Sequence, residues 1–401
     1  MSIDLILILL FYSFILLFFF LRRDHFEVQG KIFALYKTKL GLGLMDSVAK
    51  KFPRVIRAIG IIGIIIGYIG MVFLFIAVII GTIKLLFVPG TPPPLALVLP
   101  GVDIPGMPKL SFLHWIISIF IVAIIHEFSH GLLARTHNIK VKSSGFAFIG
   151  PILAAFVEPD EEQMKHKKKY QQLSVLAAGP FSNILFGILI LLLLIFAMNP
   201  MVNNMEEYGN LTVHSLAEDG PAKAAGLSVP FTIYSINNIK LDNISVMYSI
   251  ITTIKPSETI TLETDKGEFE FITTVNPNNN SRGYLGILDM KTYHIKPEII
   301  AKYGNGLPEL FLWFNLLFKW LFSISIGIGL FNLLPLGPVD GGRMFLIALS
   351  HFIKNEKIIK KIFSFVSMFL LGIIIISIFY FLFPYITKML SAILGIIALI
   401  V

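Results

Sequence analysis

The chain has 401 residues, of which 55% are hydrophobic and 14% are charged, whereas soluble domains carry about 25% charged residues. This composition excludes an ordinary soluble protein and predicts an integral protein of the lipid bilayer. The net charge of +8 does not indicate nucleic acid as a partner, because the Lys and Arg residues concentrate in loops beside apolar runs.

Six apolar runs are long enough to cross a membrane, at about 20 residues each. They are residues 3–21, 59–88, 110–133, 173–198, 321–334 and 362–383. Basic residues follow the first run instead of preceding it, so we interpret it as a retained helix and not as a signal peptide. Regularly spaced glycines in the second run predict close helix packing. We therefore expect a polytopic α-helical membrane protein with about six transmembrane helices.

The loops predict how this protein lies in the cell membrane. Segments 22–57, 135–169 and 354–361 are rich in Lys and Arg, which places them in the cytoplasm. Segment 199–306 then lies outside, and its short β-like stretches between turn residues predict a small extracytoplasmic α+β domain. We expect four regions: N-terminal membrane helices (1–109), a first half of the membrane core (110–198), this outer domain (199–306) and a second half of the core (307–401).

The third run contains the sequence His126-Glu127-Phe128-Ser129-His130. Histidines four residues apart on a helix lie on one face and suit a tetrahedral zinc ion, and the glutamate between them suits a general base. The alternative is a pair of buried histidines that are hydrogen-bonded between helices. Because the chain lacks cysteine, the third zinc ligand must be a carboxylate or a histidine from another helix.

Asp340 is the best candidate for that ligand, because it follows a Pro- and Gly-rich interruption of an apolar run. Irregular backbone at membrane depth is tolerated only where it is buried in protein or lines a cavity. The alternative is that Asp340 caps the following helix. In the fourth run, Asn183 of the sequence GPFSN is a candidate for hydrogen bonding to a substrate carbonyl. Helix packing and a proline kink explain Gly179-Pro180 equally well.

Together, the HExxH, GPxxN and NxxPxxxxDG motifs resemble the site-2 protease family of intramembrane zinc metalloproteases, from about residue 110 to 351. The resemblance implies one zinc ion per chain on His126, His130 and Asp340, with Glu127 as general base and Asn183 near the scissile carbonyl. It also implies cleavage within single-span membrane proteins that a first cut has shortened. The active site would then lie in the membrane, toward the cytoplasmic side.

The resemblance also implies a PDZ-like fold for the outer domain and a membrane re-entrant β-hairpin at residues 143–158. The sequence GPAKAAGL at 220–227 fits the PDZ pattern, but Ser228 and Val229 stand where Gly-Asp is usual. Peptide binding by this domain and simple exclusion of bulky substrates are both open interpretations. The hairpin edge could pair with an unwound substrate by strand addition.

Two other functions also fit a membrane protein with a buried metal site. A metal transporter would explain buried His and Asp, but residues 110–125 offer few polar side chains for a pathway through the outer half. A catalytically inactive scaffold would not need the complete ligand set together with Glu127.

Overall fold

The computed structural model describes residues 3–22, 26–29, 33–102, 104, 107–149, 152–241, 244–276 and 279–400. These residues form two compact units. The first comprises Met1–Leu194 and Leu316–Val401, and the second comprises Ile195–Asn315.

Helices supply most of the first unit, and α7 to α10 in the following order belong to the second unit. In chain order they are α1 (Ile3–Leu21), α2 (Leu42–Lys51), α3 (Pro53–Phe87), α4 (Phe112–Thr136), α5 (Glu161–Lys165), α6 (Lys169–Leu193), α7 (Asn199–Met205), α8 (Pro221–Ala224), α9 (Ile244–Thr253), α10 (Pro297–Tyr303), α11 (Gly306–Phe331), α12 (Asp340–Phe352) and α13 (Glu356–Ile400). A π-helical turn, Leu194–Met198, joins α6 to α7.

Six helical spans in the described part of the chain are long and apolar enough to cross a membrane, which confirms the predicted polytopic helical protein. The fifth span differs most from its prediction, because α11 already begins at Gly306 and ends at Phe331. The charged residues Glu309 and Lys319 lie within this helix, and they concealed its start in a search for apolar runs. Pro335 disfavours helix in the residue before it, in keeping with the early end.

The glycines of α3 allow this helix to pack closely against its neighbours, as predicted. Added Cβ atoms at four of them would approach the nearest side chains to between 2.6 and 3.3 Å. The pairs are Gly60 with Leu133, Gly63 with Phe181, Gly67 with Met344, and Gly70 with Leu333. Helix α3 therefore lies directly against α4, α6, α12 and the segment before α12.

A four-stranded antiparallel sheet belongs to the first unit. Its strands are β1 (Phe26–Gln29), β2 (Phe33–Thr38), β3 (Val141–Ile149) and β4 (Ile152–Pro159), in the order β1-β2-β3-β4. Strands β3 and β4 form a hairpin at the predicted place, with Ala147 opposite Ala154, and its entry into the membrane stays a prediction. The turn residues 150–151 lie outside the described residues. The sequence did not predict β1 and β2, which extend the hairpin into a sheet with β4 at one edge.

The second unit contains a six-stranded antiparallel sheet. The remaining strands are β5 (Glu206–Leu216), β6 (Phe231–Ile236), β7 (Ile239–Lys240), β8 (Thr259–Thr264), β9 (Gly267–Ile272), β10 (Thr274–Asn276), β11 (Asn279–Tyr284) and β12 (Ile287–Ile295). The order is β12-β5-β6-β8-β9, β7 pairs with β6, and β10 pairs with β11. Alternate residues of β6, including Phe231 and Ile233, are fully buried in its core.

Candidate active site

Helix α4 positions three of the predicted site residues. Its N-terminus is capped by Ser111, whose Oγ accepts a hydrogen bond from the backbone N–H of His114. As the four-residue spacing predicts, His126 and His130 lie on one helix face, with their Nε2 atoms 3.1 Å apart. Both histidines are buried, whereas Glu127 is partly exposed.

Asp340 meets this histidine pair from another helix. It is the first residue of α12, and its Oδ2 lies 3.2 Å from Nε2 of His126 and 3.2 Å from Nε2 of His130. The N-cap residue of α12 is Val339, so the alternative interpretation of Asp340 as the helix cap is wrong. The first part of the irregular segment before α12, residues 333–336, is buried, and Leu333 and Leu334 are fully inaccessible to solvent.

The three ligand atoms form a triangle whose dimensions suit a zinc ion. Tetrahedral coordination with bonds of about 2.0–2.1 Å to nitrogen and oxygen requires ligand atoms about 3.4 Å apart. The triangle has sides of 3.1, 3.2 and 3.2 Å, so a small adjustment would seat the ion. Among the residues that the structure describes, these three form the cluster of His and Asp side chains that could hold a metal ion.

The hydrogen-bond partners of the histidines also indicate a cation. Nδ1 of His130 lies 2.7 Å from the backbone carbonyl oxygen of Val175, which can only accept, so Nδ1 carries the hydrogen. In its neutral form, His130 then directs its Nε2 lone pair toward His126 and the carboxylate of Asp340. Lone pairs that face one another repel unless a cation lies between them, so the donor set fits a bound metal.

Asn183, from α6, lies behind His126 in a fully buried position. Its side-chain Nδ2 is 3.1 Å from Nδ1 of His126, and its Oδ1 has no hydrogen-bond partner among the described residues. A half-turn of the amide directs Oδ1 at the ring, where it accepts the Nδ1 hydrogen that a metal-binding His126 carries. This contact positions a ligand, which the sequence did not suggest. The predicted contact of Asn183 with a substrate carbonyl stays a prediction.

Gly179 leaves the space in which an ion would lie. A Cβ at this position would come within 2.5 Å of Nε2 of His126 and even closer to Nε2 of His130. From the sequence, helix packing or a kink explained Gly179, and the structure shows a different constraint, namely the space beside the ligand atoms. No larger side chain fits here without moving an imidazole ring.

Glu127 is held by the sheet. Its Oε2 accepts a 2.9 Å hydrogen bond from the backbone N–H of Val157, in edge strand β4. The carboxylate lines a cavity of about 240 Å³ together with His126, His130 and Asp340. It also lines a second, largely apolar cavity of about 130 Å³ between α4 and the sheet. Nothing in the sequence signalled the contact with Val157, because it depends on strand placement.

Comparisons with known proteins found a matching family model and related proteins. A family model described as Peptidase family M50 matches residues 114–374, more than half of the chain. An uncharacterized protein of Methanocaldococcus jannaschii is 29% identical over 357 residues, covering 87% of each chain. Zinc metalloprotease RasP of Geobacillus kaustophilus is 23% identical over 256 residues, covering 54% of this chain and 58% of RasP. Probable protease eep of Enterococcus faecalis is 25% identical over 232 residues, covering 47% of this chain and 53% of eep.

Proposed function

The chain belongs to peptidase family M50 and is a multi-pass membrane metalloprotease, and from this premise we propose that it hydrolyses peptide bonds within transmembrane segments of other membrane proteins. One observation carries the proposal. Glu127 and the candidate ligands His126, His130 and Asp340 line one cavity, and three of these four residues belong to the apolar span Phe112–Thr136.

In the proposed hydrolysis, three residues hold the metal and Glu127 transfers the proton. A zinc ion on His126, His130 and Asp340 would supply a Lewis acid that acidifies water and polarises the scissile carbonyl. Glu127 takes a proton from the water as its oxygen attacks the carbonyl carbon. Glu127 then delivers that proton to the amide nitrogen as the C–N bond breaks, so one carboxylate serves both as base and as acid.

The groups around the ligands keep them ready for this step. The carbonyl of Val175 fixes the tautomer of His130, and the amide of Asn183 does the same for His126. The hydrogen bond from Val157 restricts the rotamer of Glu127. We assign Asn183 a positioning role, and we retain its contact with the substrate oxyanion as the predicted second role.

Strand β4 provides a surface on which a substrate can unwind. Its described pairing is with β3, so its other edge can accept an extended chain by strand addition. This matters because a helix shields its peptide bonds with its own hydrogen bonds. The apolar cavity beside Glu127 is lined by Ile124, Phe128 and Phe156 among others, and it suits an apolar side chain of a membrane segment.

The proposal also covers the side of the membrane on which the active site lies and the selection of substrates. The basic loops favour an active site on the cytoplasmic side of the cell membrane, a hairpin that enters the bilayer, and an extracytoplasmic, PDZ-like second unit. In this arrangement the second unit admits single-span substrates that an earlier cut has shortened. Nucleic acid has no part in the activity.

The test is cleavage of a single-span model substrate by the purified full chain, with zinc measured in the same samples. We expect wild type to cleave, and we expect Glu127→Gln to retain zinc but to lose activity by roughly 10²-fold to 10⁴-fold. Asp340→Ala should lose both zinc and activity. The exposed Glu162→Gln is the matched control and should behave like wild type.

The same samples distinguish the alternatives. Activity of Glu127→Gln equal to that of wild type would remove Glu127 from the mechanism. Failure of zinc-loaded wild type to cleave any of several single-span substrates, together with zinc flux in liposomes, would favour a transporter instead.

A further inference from the structure

A third cavity, of about 440 Å³, is lined by none of the candidate metal ligands. Four basic side chains line it, together with one carboxylate, Asp46. The basic residues are Lys50 of α2, Arg57 of α3, Arg135 of α4 and Lys140 after α4. We call this site the basic cavity. One carboxylate against four cations leaves three positive charges without a neutralising partner in its wall.

Both arginines are held in place by protein contacts. Arg135 forms a 3.3 Å ion pair with Asp46 through Nε, and its Nη2 donates to the carbonyl of Val141. Arg57 donates from Nη2 to the carbonyl of Thr136 at 3.3 Å. A guanidinium has five N–H groups, so each arginine keeps further donors for a ligand. Arginines fixed in this way lose little conformational entropy when they bind an anion.

The two lysines differ from the arginines. Lys50 and Lys140 are exposed, and no ion pair of either is found within the described part of the chain. Four like charges around one cavity repel each other, and an anion in the cavity would offset that repulsion. The volume is sufficient for a phosphate group with its substituent.

The position of the basic cavity indicates which anion reaches it. Its wall includes Pro53, where the span Pro53–Phe87 begins, and Thr136, where the span Phe112–Thr136 ends. The ends of two spans mark one surface of the bilayer, which is the depth of lipid headgroups. Basic pockets between membrane helices at this depth suit anionic headgroups.

We propose that the basic cavity binds a phosphate-bearing anion, with the headgroup of an anionic phospholipid as the occupant that its depth favours. The proposal is independent of peptide hydrolysis, because none of the four basic residues lines the cavity of the metal ligands.

The test uses the full chain in nanodiscs of phosphatidylcholine with added phosphatidylglycerol, and native mass spectrometry measures the retained lipid. Lys50→Gln/Lys140→Gln removes two charges from the cavity and leaves the arginine contacts intact. We expect the affinity for phosphatidylglycerol to fall by roughly 25-fold, at about fivefold for each of the two charges. Lys51→Gln/Lys165→Gln is the matched control, since it removes two exposed charges that do not line the cavity.

A second arm titrates inorganic phosphate into the same variants in nanodiscs of phosphatidylcholine alone. Phosphate binding that depends on Lys50 and Lys140, without selective retention of phosphatidylglycerol, would support the anion site and assign it to a soluble phosphate. Equal behaviour of the two double variants toward both probes would overturn the proposal, because binding would then follow net charge alone.

Discussion

The backbone N–H of Val157 donates a 2.9 Å hydrogen bond to Oε2 of Glu127, so the edge strand of the sheet holds the carboxylate proposed as general base. This N–H points away from β3, and its bond therefore lies outside the ladder of the sheet. The strand that we propose to receive the substrate is thus also the strand that orients Glu127.

Val157→Pro removes this donor without removing a ladder hydrogen bond. We expect activity to fall by about tenfold or more, because a hydrogen bond to a charged group contributes roughly 1.5–3 kcal/mol. Val157→Ala keeps the N–H and should retain nearly full activity. Cleavage rates and zinc content of both variants provide the measurement. Equal rates for the Pro and Ala variants would show that the bond does not matter for turnover.

Asn183 has two proposed roles, as a partner of His126 and as a partner of the substrate oxyanion, and different substitutions can distinguish them. Asn183→Ala should lower zinc affinity by about 10-fold to 100-fold, because His126 loses the acceptor for its Nδ1 hydrogen. Asn183→Asp retains an oxygen acceptor and should restore zinc binding. Competition with a chelator measures the affinity without any substrate. Unchanged zinc affinity in Asn183→Ala, with reduced turnover, would instead assign Asn183 to the substrate oxyanion.

Gly179→Ala should prevent zinc binding, because the added methyl group would occupy the space beside Nε2 of both histidines. Gly327→Ala is the matched control, since Gly327 also lies within a membrane helix but has no atoms within 4 Å of an added Cβ. We expect Gly327→Ala to keep zinc and activity. Zinc analysis of the two purified variants tests this prediction, and a Gly179→Ala protein with full zinc content would contradict it.

The buried environment of His137, which follows α4, predicts that the stability of the protein depends on pH. Its Nε2 lies 2.8 Å from Oγ of Ser174, whose hydroxyl donates to the carbonyl of Gln171. His137 therefore donates from Nε2, and its Nδ1 accepts from the amide of Gln171 at 3.3 Å. Burial, with smaller contributions from the charges of Arg57 and Lys167, lowers the pKa of His137 to about 4 from the ordinary 6.5.

The sign of the effect follows from the depressed pKa of His137. Between about pH 6.5 and pH 4 the unfolded chain binds this proton and the folded chain does not, so stability is lost as the pH falls through that window. The full loss is roughly 3 kcal/mol. Melting temperatures of wild type and His137→Gln across this range test it, with exposed His166→Gln as the control. A wild-type curve parallel to that of His137→Gln would exclude the effect.

The sequence predicted the parts of this protein that depend on local patterns. The length of the apolar runs located the six spans, and the four-residue spacing placed His126 and His130 on one helix face. Asp340 required a different signal, the Pro- and Gly-rich break in an apolar run. In each case the residues that carry the information are adjacent or nearly adjacent in the chain.

The features that the sequence did not predict depend on contacts between distant segments. Strand β2 pairs with β3, more than 100 residues later, through the register of Tyr36 with Phe146. The bond from Val157 to Glu127 and the space at Gly179 depend likewise on how separate elements pack. A glycine in an apolar helix suggests close helix packing. Only the position of the neighbouring imidazoles shows that Gly179 must also leave space beside the ligand atoms.

His126 and Asp340 are separated by 214 residues of sequence, and the whole second unit is encoded between them. An ion bound by both residues would act as a crosslink between the two halves of the membrane core. Like any ligand that binds only the folded state, it would raise the free energy of unfolding. The metal would then maintain the architecture as well as the chemistry, and chelation would loosen the protein while it stops the reaction.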